Sequence, residues 1–477
     1  MSARVSFAAE AAEASRPPVD AVVLDKLRAV VGAEWVKTSP EDLYCASYDA
    51  TLERAQPEAV VYPGSAMETA AILLLANEHG FAVTPRGAGT NLAGASIPVQ
   101  GGIVMAMNRL NRIVEINKED LYVIAEPGVT TQTLADAAAR QGLLYPPDPG
   151  SMKVSTLGGN VAMNAGGLRG LKYGVTRDYV MGLEVVLPTG EIVKTGAFPV
   201  KSVSGYDMTA LMTGSEGTLG VIVKIVLKLL PKPEHCESML AIFADMDDAA
   251  RTVSAVIAEG VIPSTLEFLD RVTINCVEDF KHVGLPRDAE AFLLIETDGM
   301  KEAACREAEK VVEICREHNA IEVKKARDAA ERDRIWEARR AALSALSRVR
   351  ATTILEDATV PRSRIPEMVA GVRAIAQKYN LSIGIFGHAG DGNLHPTIQT
   401  DERDAEEMER VRKAVDEIFQ LALSLKGTIS GEHGVGLVKA KYLEDEFGAA
   451  GVEAMFALKR ALDPNNVLNP GKMFAGR

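Results

Sequence analysis

The sequence predicts an α+β protein, on three observations. From about residue 57 to 230, short apolar β-rich runs are punctuated by glycine loops at spacings too varied for simple doubly wound alternation. From 236 to about 425, long charged helical patterns alternate with strands. Between the two regions, "LPKPEH" (230–235) sets two prolines where the preceding strand must stop, marking a boundary.

In the first region "AVVYP" (59–63) reads as a strand, "SAMETAAILLLANEHG" as a helix capped by Ser65 and stopped at Gly80, and "FAVTP" as the next strand. Further strands are expected in "GIVMAM", "LYVIAEPGV", "LEVVLPTGEIV" and "GVIVKIVLKLL". The second region adds "AFLLIETDG", "ATTILEDATVP" and "LSIGIFGHAG". The tail "AMFALKRALDPNNVLNPGKMF" reads as a helix, a Pro-Asn turn and an ordered loop, and no internal repeat is present.

The 477 residues allow two or three domains, and 47% hydrophobic with 25% charged residues is an ordinary globular composition. A balance of 65 acidic against 52 basic residues, without a basic run, argues against nucleic acid or an anionic membrane as partner. Small anionic substrates would need a local positive site. No stretch approaches the roughly 18 apolar residues of a membrane span, and Glu10 and Glu13 interrupt any signal-peptide core, leaving an Ala-rich N-terminal arm. Five scattered cysteines without a CxxC fit reduced cytoplasmic thiols, so an iron-sulfur cluster would have to sit on a partner.

"GHAGDGNLHP" (387–396) places His388 and His395 around Asp391-Gly392, a strong signal for a two-residue hairpin turn. That turn would set His388 opposite His395, with Cβ atoms about 5 Å apart and able to share a metal ion. Alone, such a pair is more often a polar turn bonded to backbone. "PRGAGTNLAG" (85–94) follows a strand with three glycines and an Arg, a combination suited to cradling an anion, although its G-x-G-x4-G spacing fits neither the dinucleotide fingerprint nor a P-loop. Three more such loops, at 146–174, 213–220 and 469–472, point together to a large phosphate-bearing cofactor.

The ordered set "PRGAGTNLAG", "PPDPGS", "STLGGNVAMNAGG", "GSEGTLGVI", "GHAGDGNLHP", "SGEHGVG", "NPGKMF" resembles the FAD-linked glycolate oxidase subunit and D-lactate dehydrogenase family, within the vanillyl-alcohol oxidase superfamily. The resemblance covers about residues 40–475. It implies an FAD-binding (PCMH-type) domain of two α+β subdomains at 57–232, preceded by an arm and domain start at 1–56. It further implies a cap domain with an antiparallel sheet at 233–425 and a C-terminal segment at 426–477 that completes the metal and FAD sites.

By the same resemblance Arg86, Gly87, Ala88, Gly89, Thr90 and Asn91 would cradle the FAD pyrophosphate. Pro147, Gly150, Ser151, Gly158, Gly159, Asn160 and Gly167 would line the flavin and ribityl chain. Gly214, Glu216, Gly217 and Val221 would lie near the adenosine or ring edge, and Asn469 would close the site. Thr90 stands where some relatives attach FAD through a His, so noncovalent FAD is expected.

The resemblance also makes His388, His395 and Glu432 ligands of one divalent metal (Zn, Mn or Fe), and His433 the general base. Arg339, on a helical stripe with Trp336, Leu343 and Leu346, becomes the clamp for a substrate carboxylate. The implied reaction converts a D-2-hydroxy acid to a 2-oxo acid by hydride transfer to N5 of FAD. A diacid-specific branch places a Thr where this chain has Leu343 and a Lys where "TTILEDATVP" has none, so D-lactate or glycolate is expected over D-2-hydroxyglutarate.

Other readings are a metal-free aryl-alcohol or sugar oxidase, a noncatalytic FAD sensor, and a flavin subunit active only within a complex. In the last, the acceptor would be an iron-sulfur subunit or an electron-transfer flavoprotein. The expected location is cytoplasmic, with any membrane association made through a partner.

Overall fold

The computed structural model describes residues 16–474, so the expected N-terminal arm lies largely outside the described residues. The chain divides into two units. One comprises Gly166–Gly174 and Pro233–Gly431; the other comprises the described residues up to Ala165, Val175–Lys232 and those from Glu432 onward.

The unit containing the glycine loops is built on two larger sheets, with a two-stranded pair of Leu143–Leu144 and Leu230–Pro231 beside them. In the smaller of those two sheets, Val83–Arg86, Ile103–Ala106 and Ala59–Val61 run parallel, and Val36–Lys37 pairs antiparallel at the edge. In the other, five antiparallel strands run in the order Ile113–Asn117, Tyr122–Ala125, Val221–Lys228, Val180–Val186, Ile192–Gly196. The expected helix forms at Ala66–His79. Ser65 Oγ accepts the Glu68 N–H at 3.1 Å, Glu68 accepts the Gly64 N–H at 2.7 Å, and Gly80 ends the helix at φ 75°. Leu73, Phe81, Val83, Ile103 and Met105 form its core with Val186, Val221 and Leu468. Val221 is therefore a packing residue of the sheet.

The other unit carries an eight-stranded sheet in which every pairing is antiparallel. Its long central pair joins His235–Phe243 to Ala291–Gly299. Leu240, Ile242, Phe292 and Leu294 pack with Ile274, Trp336 and Leu346 from helices Arg271–Lys281 and Ala329–Leu346. The alternate residues Met239, Ala241 and Phe243 are also fully buried, and helices Met246–Ala258 and Lys301–Glu317 touch the same strands. Both faces are covered, which is why these strands are nearly continuous apolar runs.

Residues Gly166–Gly174 belong to this sheet-rich unit although their neighbours in sequence do not. Asp298 holds them in place. Lys172 Nζ donates to its carboxylate at 2.6 Å, and Tyr173 Oη does the same at 2.6 Å. Gly167, expected beside the flavin, therefore clusters with the sheet-rich unit rather than with the other glycine loops.

Candidate active site

Three adjacent strands bring a row of buried polar side chains together on one face of the sheet. Ser382–His388 pairs with Asn393–Thr400 so that His388 faces Asn393 and Phe386 faces His395. The turn is therefore the four residues 389–392, and the two-residue turn expected from Asp391-Gly392 does not form. Tertiary contacts explain the shift: Gly390 N–H donates to Leu266 O at 2.9 Å, and a Cβ on Gly392 would fall 2.0 Å from Val360 O. His388 and His395 become diagonal neighbours on one face, with ring centroids 5.1 Å apart and planes perpendicular. The histidines still meet, in a different register.

The strand Thr265–Asp270 flanks the hairpin, pairing Phe268 with Gly387. One step along that register Glu267 stands opposite His388, and its carboxylate lies 2.7 Å from His388 Nδ1. A carboxylate on Nδ1 favours the Nδ1–H tautomer, in which Nε2 carries the lone pair a metal would take. From helix Ala329–Leu346, Arg339 donates through Nε to the other oxygen of Glu267, and its guanidinium lies 4.8 Å from the centre of the Phe386 ring. Burial alone would push the Glu267 carboxyl up, but His388 and Arg339 outweigh it and hold the group below its ordinary value.

Arg339 is thus packed between Glu267 and Phe386, with its side chain 11% exposed. Its terminal amino groups make no hydrogen bond among the described residues, so the guanidinium keeps two donors for an anion. The stripe proposed for this helix needs correction, because Leu343 is 38% exposed while Ala338, Ala341, Ala342 and Ala345 are buried. Those alanines let the helix approach the sheet closely enough for Arg339 to reach Glu267.

Upstream of Glu432, Ser430 Oγ donates to the buried Asp357 at 2.8 Å and Thr428 bridges to Thr359. A Cβ on Gly431 would fall 2.2 Å from Thr359 Oγ1 and 2.8 Å from the Asn393 amide, so the chain lies tight against the hairpin at the residue before Glu432. Two buried imidazoles, one oriented by a carboxylate, are a donor set that fits a divalent metal. Sequence reasoning missed Glu267 and Asp357; an acid in the middle of the apolar run "TLEFL" was the signal for the first.

In the glycine-loop unit, residues 86–91 are half-buried and accessible. Asn91 shapes this loop, its amide oxygen accepting the Ala93 and Ala95 N–H groups at 3.2 and 2.9 Å. Its amide nitrogen donates to Ser96 Oγ at 2.9 Å, and Arg86 reaches the same hydroxyl at 3.2 Å. Gly89 has φ 71°. Thr156 caps helix Leu157–Met163 by accepting the Gly159 N–H at 3.3 Å, and a Cβ on Gly87 would lie 2.3 Å from that Thr156 hydroxyl. Arg86 with a glycine-lined, accessible backbone concavity fits a phosphate-bearing cofactor. Gly87→Ala should therefore lower the ratio of bound flavin to protein, read from absorbance after gel filtration, with the protein still folded. Full flavin content would remove this contact from cofactor binding.

The remaining expected cofactor residues have mixed surroundings. Asn160 is buried, donating to Thr131 Oγ1 at 2.6 Å. Gly150 and Ser151 lie in the turn before Thr156, and the buried Pro147 in the irregular stretch leading into it. Gly214 and Glu216 donate their N–H groups to Val161 and Ala162 carbonyls, and Gly217 has φ 68°. Asn469 donates to Ala95 O at 2.9 Å and Glu216 O at 2.7 Å, knitting the C-terminal segment to two glycine loops. Lys472 is fully buried on Ile97 O, and burial draws its ammonium down to about 7 against the pull of Asp49 and Glu216.

Two family models match the chain: an FAD binding domain over residues 57–196 and the C-terminal domain of FAD linked oxidases over 232–473. The chain is 52% identical over 454 residues to glycolate oxidase subunit GlcD of Bacillus subtilis, covering 95% of this chain and 97% of that protein. It is 39% identical over 432 residues to D-lactate dehydrogenase of Anaerostipes hadrus, covering 88% and 90%. Among solved structures, 4-ethylphenol oxidase from Gulosibacter chungangensis superposes with a TM-score of 0.78 at 18% identity, covering 95% and 96%. p-Cresol methylhydroxylase does so at 0.76 and 18%, with the same coverage; these two likenesses bear on the fold alone. With both domain models matched in order and a near full-length relative sharing half its residues, the chain belongs to the FAD-linked oxidase family of flavin oxidoreductases.

Proposed function

We propose that this protein is an FAD- and metal-dependent dehydrogenase that oxidises a small D-2-hydroxy acid, D-lactate or glycolate, to the 2-oxo acid. The observation that carries this reading is the Glu267–His388–His395 row beneath Arg339, which joins a buried imidazole pair, one ring oriented by a carboxylate, to a cation for a carboxylate. The names of the relatives, a glycolate oxidase subunit and a D-lactate dehydrogenase, support the substrate class.

Bound FAD supplies the hydride acceptor, and a divalent metal supplies a Lewis acid that lowers the pKa of the substrate hydroxyl. His388 and His395, with Glu432 as the third ligand, would hold that metal. Arg339 takes the substrate carboxylate through its terminal amino groups, bracing itself on Glu267. His433 removes the hydroxyl proton as general base. Leu343 and the absence of a Lys in 352–361 depart from the diacid-specific pattern, which disfavours D-2-hydroxyglutarate. With Thr90 after the first glycine loop, FAD is held noncovalently.

A second reading, a flavin subunit that turns over only inside a complex, is favoured by the word "subunit" in the name of the 52% identical relative. Electrons would then leave to an iron-sulfur subunit or an electron-transfer flavoprotein, since the described cysteines are five isolated thiols. No helix among the described residues is long and apolar enough to cross a membrane. Anaerobic titration with D-lactate, L-lactate, glycolate and D-2-hydroxyglutarate, before and after chelation, tests the proposal. Bleaching of the flavin by D-lactate or glycolate, lost on chelation and restored by metal, is expected. Bleaching that survives complete metal removal would overturn the metal's role.

A further inference from the structure

Glu216 sits in the "GSEGTLG" loop that the motif order assigns to the cofactor, yet its side chain is engaged elsewhere. It is 5% exposed and holds a left-handed backbone, φ 54°, which a non-glycine residue rarely adopts. One carboxylate oxygen accepts the Val435 N–H at 2.6 Å and the other accepts the Gly436 N–H at 2.7 Å. A Cβ on Gly434 would fall 2.8 Å from the Glu216 carboxylate and 2.4 Å from the Met163 methyl. Glu216 is itself fixed at both ends of its backbone, its N–H donating to Ala162 O at 2.8 Å and its carbonyl accepting from Asn469 at 2.7 Å.

The clamped segment is the continuation of "EHG". Val435 lies two residues beyond His433 and three beyond Glu432, and the intervening Gly434 has φ 89°. Two converging N–H groups call for a group that only accepts; a carboxamide would offer one acceptor and turn an NH₂ against the second donor. Bonds from N–H to an ionised carboxylate are also the stronger kind. We infer that Glu216 is a positioning residue, whose carboxylate fixes the backbone carrying Glu432 and His433. This rests on the roles proposed above for those two residues. The same loop then serves cofactor and proton transfer through different atoms.

The test compares wild type with Glu216→Gln and Glu216→Asp in the FAD-loaded full chain. Four quantities are read: flavin-to-protein ratio, amide hydrogen exchange of the peptide spanning 431–437, and kcat and KM for D-lactate with an artificial acceptor. Flavin content should hold while exchange accelerates. Displacing a catalytic group by about 1 Å lowers turnover on the order of 100-fold, so kcat should fall by that much in Glu216→Gln with KM nearly unchanged, and less in Glu216→Asp. Wild-type kcat in both variants despite faster exchange, unchanged exchange, or loss of FAD as the primary defect would each overturn the inference. If wild type oxidises no 2-hydroxy acid, the proposed function fails, while the exchange arm still decides whether Glu216 holds the segment.

Discussion

Replacement of His433 by asparagine should leave the oxidised flavin spectrum intact and nearly abolish its bleaching by D-lactate. Asparagine is similar in reach and can still hydrogen-bond, but it has no basic nitrogen near neutral pH, so the proposed acceptor of the hydroxyl proton is removed. A positioned general base contributes typically 10²- to 10⁴-fold. Anaerobic stopped-flow reduction should therefore slow by at least about 100-fold, with flavin content unchanged. Reduction at the wild-type rate would remove His433 from proton transfer and leave the substrate-binding residues standing.

The second large effect is expected at Glu267, through stability as well as activity. Its carboxylate is fully buried and bonded to both His388 and Arg339. Glu267→Ala would leave a guanidinium buried against Phe386 without its counter-charge, a loss on the order of 3–5 kcal/mol. The melting temperature should drop by about 10 °C on the scale of about 2–4 °C per kcal/mol, and metal affinity by about 10–100-fold as His388 loses its orienting partner. Because the folded carboxyl titrates below its ordinary value, its stabilisation is complete above the unfolded pKa and lost as pH falls through the folded one. The gap between variant and wild type should therefore narrow in acid. Calorimetry from neutral to acid pH with metal analysis checks both; an unchanged melting temperature at neutral pH would show that the pair contributes nothing.

Much of this architecture was legible in residue patterns, and the exceptions share a cause. The helix Ala66–His79 obeys its cap and stop signals because both act within one turn of chain. Asp391-Gly392 misled because its local preference competes with the Leu266 and Val360 carbonyls brought in by distant segments. His388 and His395 converge anyway, since either register keeps them on the same face of the sheet. Glu267 had no motif to announce it, and its partner on the neighbouring strand is 121 residues away. At Glu216 the motif singled out the loop, but no local pattern could announce that the side chain turns to Val435 and Gly436, more than 200 residues away.

The nine residues Gly166–Gly174, bonded through Lys172 and Tyr173 to Asp298, bear on how this chain can be cut and recombined. A gene divided at the proline-rich boundary near 232 would strand Leu171 and its neighbours on the wrong fragment, leaving Asp298 buried without its partners in the other. Chimeras that graft a relative's sheet-rich unit onto this glycine-loop unit should fold only when 166–174 travels with the graft. For recombination, the chain is not two consecutive cassettes: the sheet-rich unit takes 166–174 from within the stretch of sequence that otherwise builds the other unit.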